Sequence, residues 1–235
     1  MKKPSKTKKK MKKILILTII ILAFQSCKTV NVLMQLNKKS AKVYSYNLGD
    51  KDIKFIPMHH MGKKEFYDDV TSIVKEYKSN GYIVYYELIS TNFTKDNNLK
   101  NTIRRKARKL KGFSGTYKEN APKGLDKKYI SQPEYTNLGT NSLDIRADVN
   151  YLELINEWEK QNGVIKLDSL DLNTPFTEKF DRDVNYTKKQ FNSIFIEYRN
   201  KYLIDLIKNS SSNKILIIYG KGHRKNFKKQ LLAIE

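Results

Sequence analysis

The stretch Lys214-Ile-Leu-Ile-Ile-Tyr-Gly-Lys-Gly-His-Arg224 decides the fold. Lys214 to Ile218 reads as a buried strand, because a short unbroken apolar run bounded by turn signals suits a strand covered on both faces. Tyr219-Gly220-Lys221-Gly222-His223 then turns the chain into an amphipathic helix that runs to the end. A glycine-rich turn between strand and helix puts His223 at the carboxyl edge of a sheet, where open α/β folds gather their ligands. The chain has three histidines. The other two, His59 and His60, follow a second apolar run, Ile53-Lys-Phe-Ile-Pro57. Every histidine therefore closes a predicted strand.

The remaining pattern fits strands and helices around that frame. Residues 41–48 read as a strand, Gly49-Asp50 as a turn and Asp52 to Pro57 as its hairpin partner, with Pro57 ending the strand or marking a bulge. Phe66, Val70, Ile73, Val74 and Tyr77 recur at helical spacing over 64–77, and Asn80-Gly81 stops that helix. Tyr82 to Ile89 is again a strand. A strand–helix–strand unit implies a parallel sheet with a right-handed crossover. Residues 92–110 read as a helix, 111–147 as a long loop, and 149–158 as a helix with Asp148 at its N-terminal edge. A second loop covers 162–187, and Lys189 to Lys208 is the longest amphipathic segment. The expectation is an α/β protein: a mixed, mainly parallel sheet flanked by helices, with an N-terminal β-hairpin.

Length of 235 residues allows one domain with an appendage, and 39% hydrophobic residues are enough for a core. Of the net charge of +22, eight lysines lie in residues 1–27, which hold no acid. There Met1 to Lys13 is lysine-rich, and Ile14 to Phe24 is an apolar run of 11 residues, too short for a bilayer core that takes ~20. Gln25-Ser26-Cys27 follows. Charge, apolar run and small residue make a secretory signal. Cys27, the chain's single cysteine, resembles the acylated first residue of a mature bacterial lipoprotein. That resemblance divides the chain into a signal at 1–27, a linker at 28–40 and an α/β domain at 41–235. It places the protein in the bacterial envelope as an outer-membrane lipoprotein facing the periplasm, with the lipid membrane as a partner through Cys27. With one cysteine, no intramolecular disulfide and no thiolate metal site is available.

Arg104-Arg105-Lys106-Ala107-Arg108-Lys109 is the one dense basic run of the domain. It reads as a solvated helix face with cations near the C-terminus, the alternative being a patch for nucleic acid or anionic lipid. No aromatic is interleaved with it, as single-strand binding asks, so no nucleic-acid partner is expected.

His60, Glu87 and His223 would converge if their strands are parallel neighbours. Two imidazoles and a carboxylate form a common divalent metal shell with an open position, and such a metal activates water and polarises a carbonyl. Glu87 is also a candidate general base. Its position directly after Tyr82-Ile-Val-Tyr-Tyr86 means that the strand has ended or that the carboxylate has a partner.

Pro57-Met-His-His60, Tyr86-Glu87, Tyr198-Arg199-Asn200 and Gly220-Lys-Gly-His223 together resemble the TraB/GumN/TIKI family. That family pairs two Gly-x-x-His motifs with an intervening glutamate, and an arginine-asparagine helix precedes the last strand. The second motif is intact, whereas Pro57 stands where the first has glycine. The resemblance covers roughly residues 41–235. It implies a fold similar to the erythromycin-esterase and ChaN groups, and a metal-dependent hydrolase of peptide or ester bonds. His60, Glu87 and His223 would then hold divalent manganese, cobalt or zinc. Glu87, Arg199 and Asn200 would be catalytic, Arg199 by stabilising an oxyanion and Asn200 by positioning Arg199 or the substrate; Asp148 is a weaker candidate. His59 is not needed. The rival expectation is a lipoprotein that binds haem, a signalling peptide or another small molecule without turnover.

Overall fold

A hairpin opens the sheet. The computed structural model describes residues 34–115, 119–120, 124 and 127–234. The signal segment, with Cys27, and the first part of the linker lie outside the described residues. The chain divides into Met1–Lys38 and Lys39–Glu235. In the first unit, residues 34–36 are helical.

Strands β1 (Tyr44–Leu48) and β2 (Lys51–Met58) pair antiparallel around Gly49-Asp50, where Gly49 takes φ +58°. A two-residue turn of this kind needs left-handed backbone, which glycine adopts without strain. Pro57 does not end β2: it pairs in register with Tyr219. The Met58 carbonyl accepts from Lys221 N–H on the far side, so the position of the missing Pro57 N–H faces the β1 side. There β1 has already stopped, its last pair being Tyr44 with Phe55, and no ladder bond is lost.

After the short strand β3 (Met61–Gly62), helix α1 (Lys64–Ser79) crosses to β4 (Ile83–Tyr86). Helix α2 (Asn97–Lys111) starts later than its periodicity suggested, because the Asp96 side chain accepts from Asn98 and Leu99 N–H and caps it. The expected loop at 111–147 contains β5 (Ile130–Ser131), which pairs with β3, a 3-10 turn at Tyr135–Leu138 and β6 (Ile145–Arg146). Two-residue strands have too little pattern to be read. Asn150, not Asp148, caps helix α3 (Tyr151–Asn162), through a capping box with Glu153. Helix α4 (Ser169–Asn173) interrupts the second expected loop. The long amphipathic segment is three pieces: α5 (Lys188–Asn192), a π-helical stretch at Ser193–Tyr198 and α6 (Arg199–Lys208). Strand β7 (Lys214–Gly220) runs two residues beyond its apolar core, and α7 (Arg224–Leu231) closes the chain.

The main sheet has the order β1-β2-β7-β4-β6, with β2, β7, β4 and β6 parallel. This is the α/β architecture expected, a mostly parallel mixed sheet with its hairpin at one edge. Alternation along β7 builds both faces. Ile215, Ile217 and Tyr219 pack with Leu203, Ile204 and Ile207 of α6 and Phe227 and Leu231 of α7. Leu216 and Ile218 pack with Phe66, Tyr67, Val70 and Val74 of α1. Burial on both faces explains why β7 is apolar without a break. Among the described residues no helix is long and apolar enough to cross a membrane.

Candidate functional site at the carboxyl edge

Because the four strands are parallel, their carboxyl ends share one edge. His60 follows β2, Glu87 follows β4, Asp148 follows β6 and His223 follows β7. Backbone bonds carry the alignment past the strands: Glu87 N–H donates to Ile218 O at 3.1 Å and Ala147 N–H to Tyr86 O at 2.9 Å. Helix α6 then brings Arg199 and Asn200 to this edge, directly after the π-helical turn.

Arg199 is the centre, 5% exposed and set against two carboxylates. Its Nη2 lies 2.6 Å from Glu87 Oε1 and 2.6 Å from Asp148 Oδ2, and its Nε donates to Asp148 Oδ1 at 2.9 Å. Nη1 reaches Phe195 O and His223 Nε2, both at 3.3 Å. These contacts engage the whole fork, so Arg199 has no N–H left over for an oxyanion in this arrangement. It orients Glu87 and His223 instead. Asp148, the weaker candidate in sequence, is fully buried and belongs to the network.

The hydrogen bonds of Asn200 fix the tautomer of His223. Asn200 Nδ2 donates to His223 O at 3.0 Å and to Asn226 Oδ1 at 2.9 Å, so its Oδ1 faces the ring. His223 Nδ1 lies 2.9 Å from that oxygen and must carry the proton. Its Nε2 therefore presents a lone pair, 3.5 Å from Glu87 Oε1. Tyr219 packs edge-on against the ring at 4.8 Å and donates to Ala147 O.

Gly220 is needed for closeness, not for an unusual φ. A Cβ there would sit 2.8 Å from Glu87 Oε2, which accepts the Gly220 N–H. The intact Gly-x-x-His motif thus supplies both the donor for Glu87 and the imidazole beneath it.

Electrostatics sort the charges. Burial would raise the Glu87 carboxyl, but Arg199, His223 and the Gly220 N–H hold it down to about 2. Burial drives His223 down to about 3; Arg199 and His60 push the same way, against Glu87. Asp148 is raised by burial, against the pull of Arg199, and the charge of Glu87 adds to the rise. The surface of His60 reaches solvent at the rim, yet the protein around its ring is the first cause that lowers its imidazole. Arg199 and Lys111 add to that and Glu87 opposes it. Both histidines are thus neutral beside an ionised carboxylate. His59 stands apart, packed on Phe66 at 5.1 Å with its carbonyl accepting from Tyr67.

The protonation states of His60, Glu87 and His223 are those a divalent metal needs. Their placement does not fit one in this arrangement. Among the described residues no group of three His, Cys, Asp or Glu side chains is spaced to hold a metal. The Arg199 guanidinium lies against both Glu87, at 2.6 Å, and His223, at 3.3 Å, so an ion bridging them would meet a buried like charge. Sequence reading passed over Tyr219, Asn226 and Tyr135. Burial raises the Tyr135 phenol, and the Glu87 charge raises it further, which places it within electrostatic reach of the site. Only Asn226 had a readable signal, its position one helical turn from His223. Compared with protein-family models, curated proteins and solved structures, the chain matches none.

Proposed function

We propose that the chain is a hydrolase of peptide or ester bonds, of the TraB/TIKI type, working at the carboxyl edge of the sheet. The observation that carries this reading is the pair of neutral histidines, His60 and His223, flanking ionised Glu87. Of the two, solvent-facing His60 is the base that can work near neutral pH, whereas His223, held down to about 3 with its Nε2 facing Arg199, is a support. An acyl carbonyl lying over Glu87 would have solvent-facing His60 beside it, to take the proton from an attacking water. The positive charge of Arg199 beneath would favour the negative charge that grows on the carbonyl oxygen. Asn200 keeps His223 in one tautomer, and Asp148 keeps Arg199 compensated.

The test is hydrolysis of chromogenic esters and fluorogenic peptides by the purified protein, beside Glu87→Gln and with metal content measured by elemental analysis. Glu87→Gln leaves Arg199 paired with Asp148, so the fold should survive while the rate falls ~10²–10⁴-fold. The acid limb of the rate should lie below pH 6.5, because the His60 imidazole is lowered and must be neutral to act. Full activity in Glu87→Gln would overturn the site. Near one manganese, cobalt or zinc per chain would show that Arg199 swings out to admit an ion. The full engagement of Arg199 favours a second reading, a binder of haem or peptide without turnover. Ligand uptake with no hydrolysis of any substrate would select it.

The same proposal places the protein in the bacterial envelope, held by acyl chains on Cys27. Cys27→Ala should move the protein from the membrane fraction to the soluble one. Retention at the wild-type level would remove the lipoprotein assignment.

A further inference from the structure

The basic run on α2 is not a solvated face. Arg108 is 7% exposed, and its Nη atoms donate to the carbonyls of Asp171, Thr174 and Pro175 at 2.9, 2.9 and 3.1 Å. Lys106 pairs with Glu159 at 2.7 Å, and Lys109 pairs with Asp171 and Asp168 at 2.6 and 2.9 Å. The same two aspartates also hold Arg182, at 2.7 and 3.0 Å, so the nearby acids are taken.

The aromatic that the run lacks in sequence arrives through the fold. The guanidinium carbons of Arg104, Arg108 and Arg105 lie 4.0, 5.0 and 5.5 Å from the centroid of Phe176. Arg108 also lies 4.3 Å from the centroid of Phe180. Three cations so placed sit within about a Debye length, ~10 Å, of one another. Among the described residues no carboxylate forms an ion pair with any of the three, and the Nε atoms of Arg105 and Arg108 are buried without a hydrogen-bond partner. The ring relieves part of the repulsion. Buried N–H groups without partners still carry a desolvation cost.

The unpaired atoms identify the missing partner. In Arg105, Nε and a neighbouring Nη form the edge on which arginine takes the paired oxygens of a phosphate; Arg108, whose Nη groups already serve three carbonyls, adds its charge and its Nε. A dianion would also answer the charges of Arg104 and Arg105, and that of Arg108, which Asp171 offsets only in part. We propose that Arg104, Arg105 and Arg108 form a binding site for a phosphate group of the phosphomonoester type, borne by a free phosphate compound or by a lipid headgroup. A base of single-stranded nucleic acid would need an aromatic platform, and the Phe176 ring is already engaged by three cations. This site is independent of the hydrolase reading and lies outside the cluster around Arg199.

Calorimetric titration of the purified full-length protein with inorganic phosphate tests the site. Sedimentation with phosphatidylcholine vesicles, with and without phosphatidic acid, identifies the source. Phosphate should bind, and Arg104→Ala/Arg105→Ala should weaken it by at least about tenfold, since two charge-assisted donors are lost. If that variant does not fold, Arg104→Lys/Arg105→Lys keeps the charge, loses the side-on edge and should still weaken binding severalfold. Binding that rises with phosphatidic acid and is displaced by phosphate assigns the site to a lipid headgroup. The exposed leucines of α4, Leu170 and Leu172, fit that source. Phosphate binding with no preference for phosphatidic acid assigns it to a free phosphate compound. No phosphate binding, or unchanged binding in both variants, overturns the proposal. So does an oligonucleotide that binds through these arginines while phosphate does not.

Discussion

Arg199→Met should cost about 3–5 kcal/mol of stability at pH 7, the loss expected when one partner of a buried ion pair is removed and its opposite charge stays behind. Two carboxylates are stranded here, Asp148 fully buried and Glu87 with an 11% exposed side chain. Against a total of about 5–15 kcal/mol for a typical domain, that is a large share. The dependence on pH separates this cause from a simple packing defect. In the wild type the folded Glu87 value, about 2, lies below its unfolded value. Its contribution is therefore present above roughly pH 4.3 and is lost as the pH falls through about 2. Asp148 acts in the opposite sense, since its folded value is raised: it takes stability away as the pH climbs past its unfolded value. Without Arg199 both carboxyls are raised, and the variant should regain more stability than the wild type does on acidification from pH 7 toward pH 4. Urea denaturation across that range checks it. Adding Glu87→Gln and Asp148→Asn to the variant should restore most of the loss, a non-additive result expected of residues in direct contact. A variant as stable as the wild type at pH 7, or one with a parallel pH curve, would show that Arg199 is not the charge on which the site depends.

That network also shows which parts of the molecule the sequence could disclose. The hairpin, the crossover through α1 and the buried β7 were readable because each rests on local pattern: alternation, helical spacing, or an apolar run closed by glycine. His60, Glu87 and His223 were readable for the same reason, each following such a run within a few residues. Arg199 and Asn200 entered through their motif, and their partners did not. Asp148 looks like a helix cap from its position before α3, but Asn150 performs that task and frees Asp148 to turn toward Arg199. The π-helical turn at Ser193–Tyr198 has no sequence mark, because its residues suit an α-helix as well. The basic run on α2 looks solvated in sequence on similar grounds. Its compensating groups lie far along the chain, Asp171 being 62 residues after Lys109, in a stretch with no sustained period. Local pattern fixes elements and the edge they share. It does not fix charge pairing between elements, and charge pairing decides here which groups are bases and which are supports.

The imidazole of His223 should stay neutral down to about pH 3, with no inflection near 6.5 when its ring resonances are followed by NMR. Burial is the main cause, because charging a ring that is 4% exposed removes an ion from water. Glu87 favours the charged ring but offsets burial only in part, and Arg199 adds a like charge at 3.3 Å. The linkage is of the destabilising kind. The unfolded chain takes up this proton near pH 6.5 and the folded chain does not, so the contribution of His223 to stability falls steadily between about pH 6.5 and about pH 3. Asn200→Asp provides the converse. A carboxylate opposite Nδ1 would favour the charged ring, as the carboxylate–imidazole pairs of acid–base sites do. The inflection should then move up toward the ordinary range, and the stability lost on acidification should shrink. Asn200→Leu, by contrast, removes the tautomer constraint and leaves the ring buried and neutral. Its resonances should stay flat with pH while the ring loses its single orientation. A wild-type His223 that titrates near 6.5, or an Asn200→Asp variant with an unmoved inflection, would place the ring in water rather than beneath Glu87. The lone pair at Nε2 would then no longer be held against the carboxylate at the edge of the sheet.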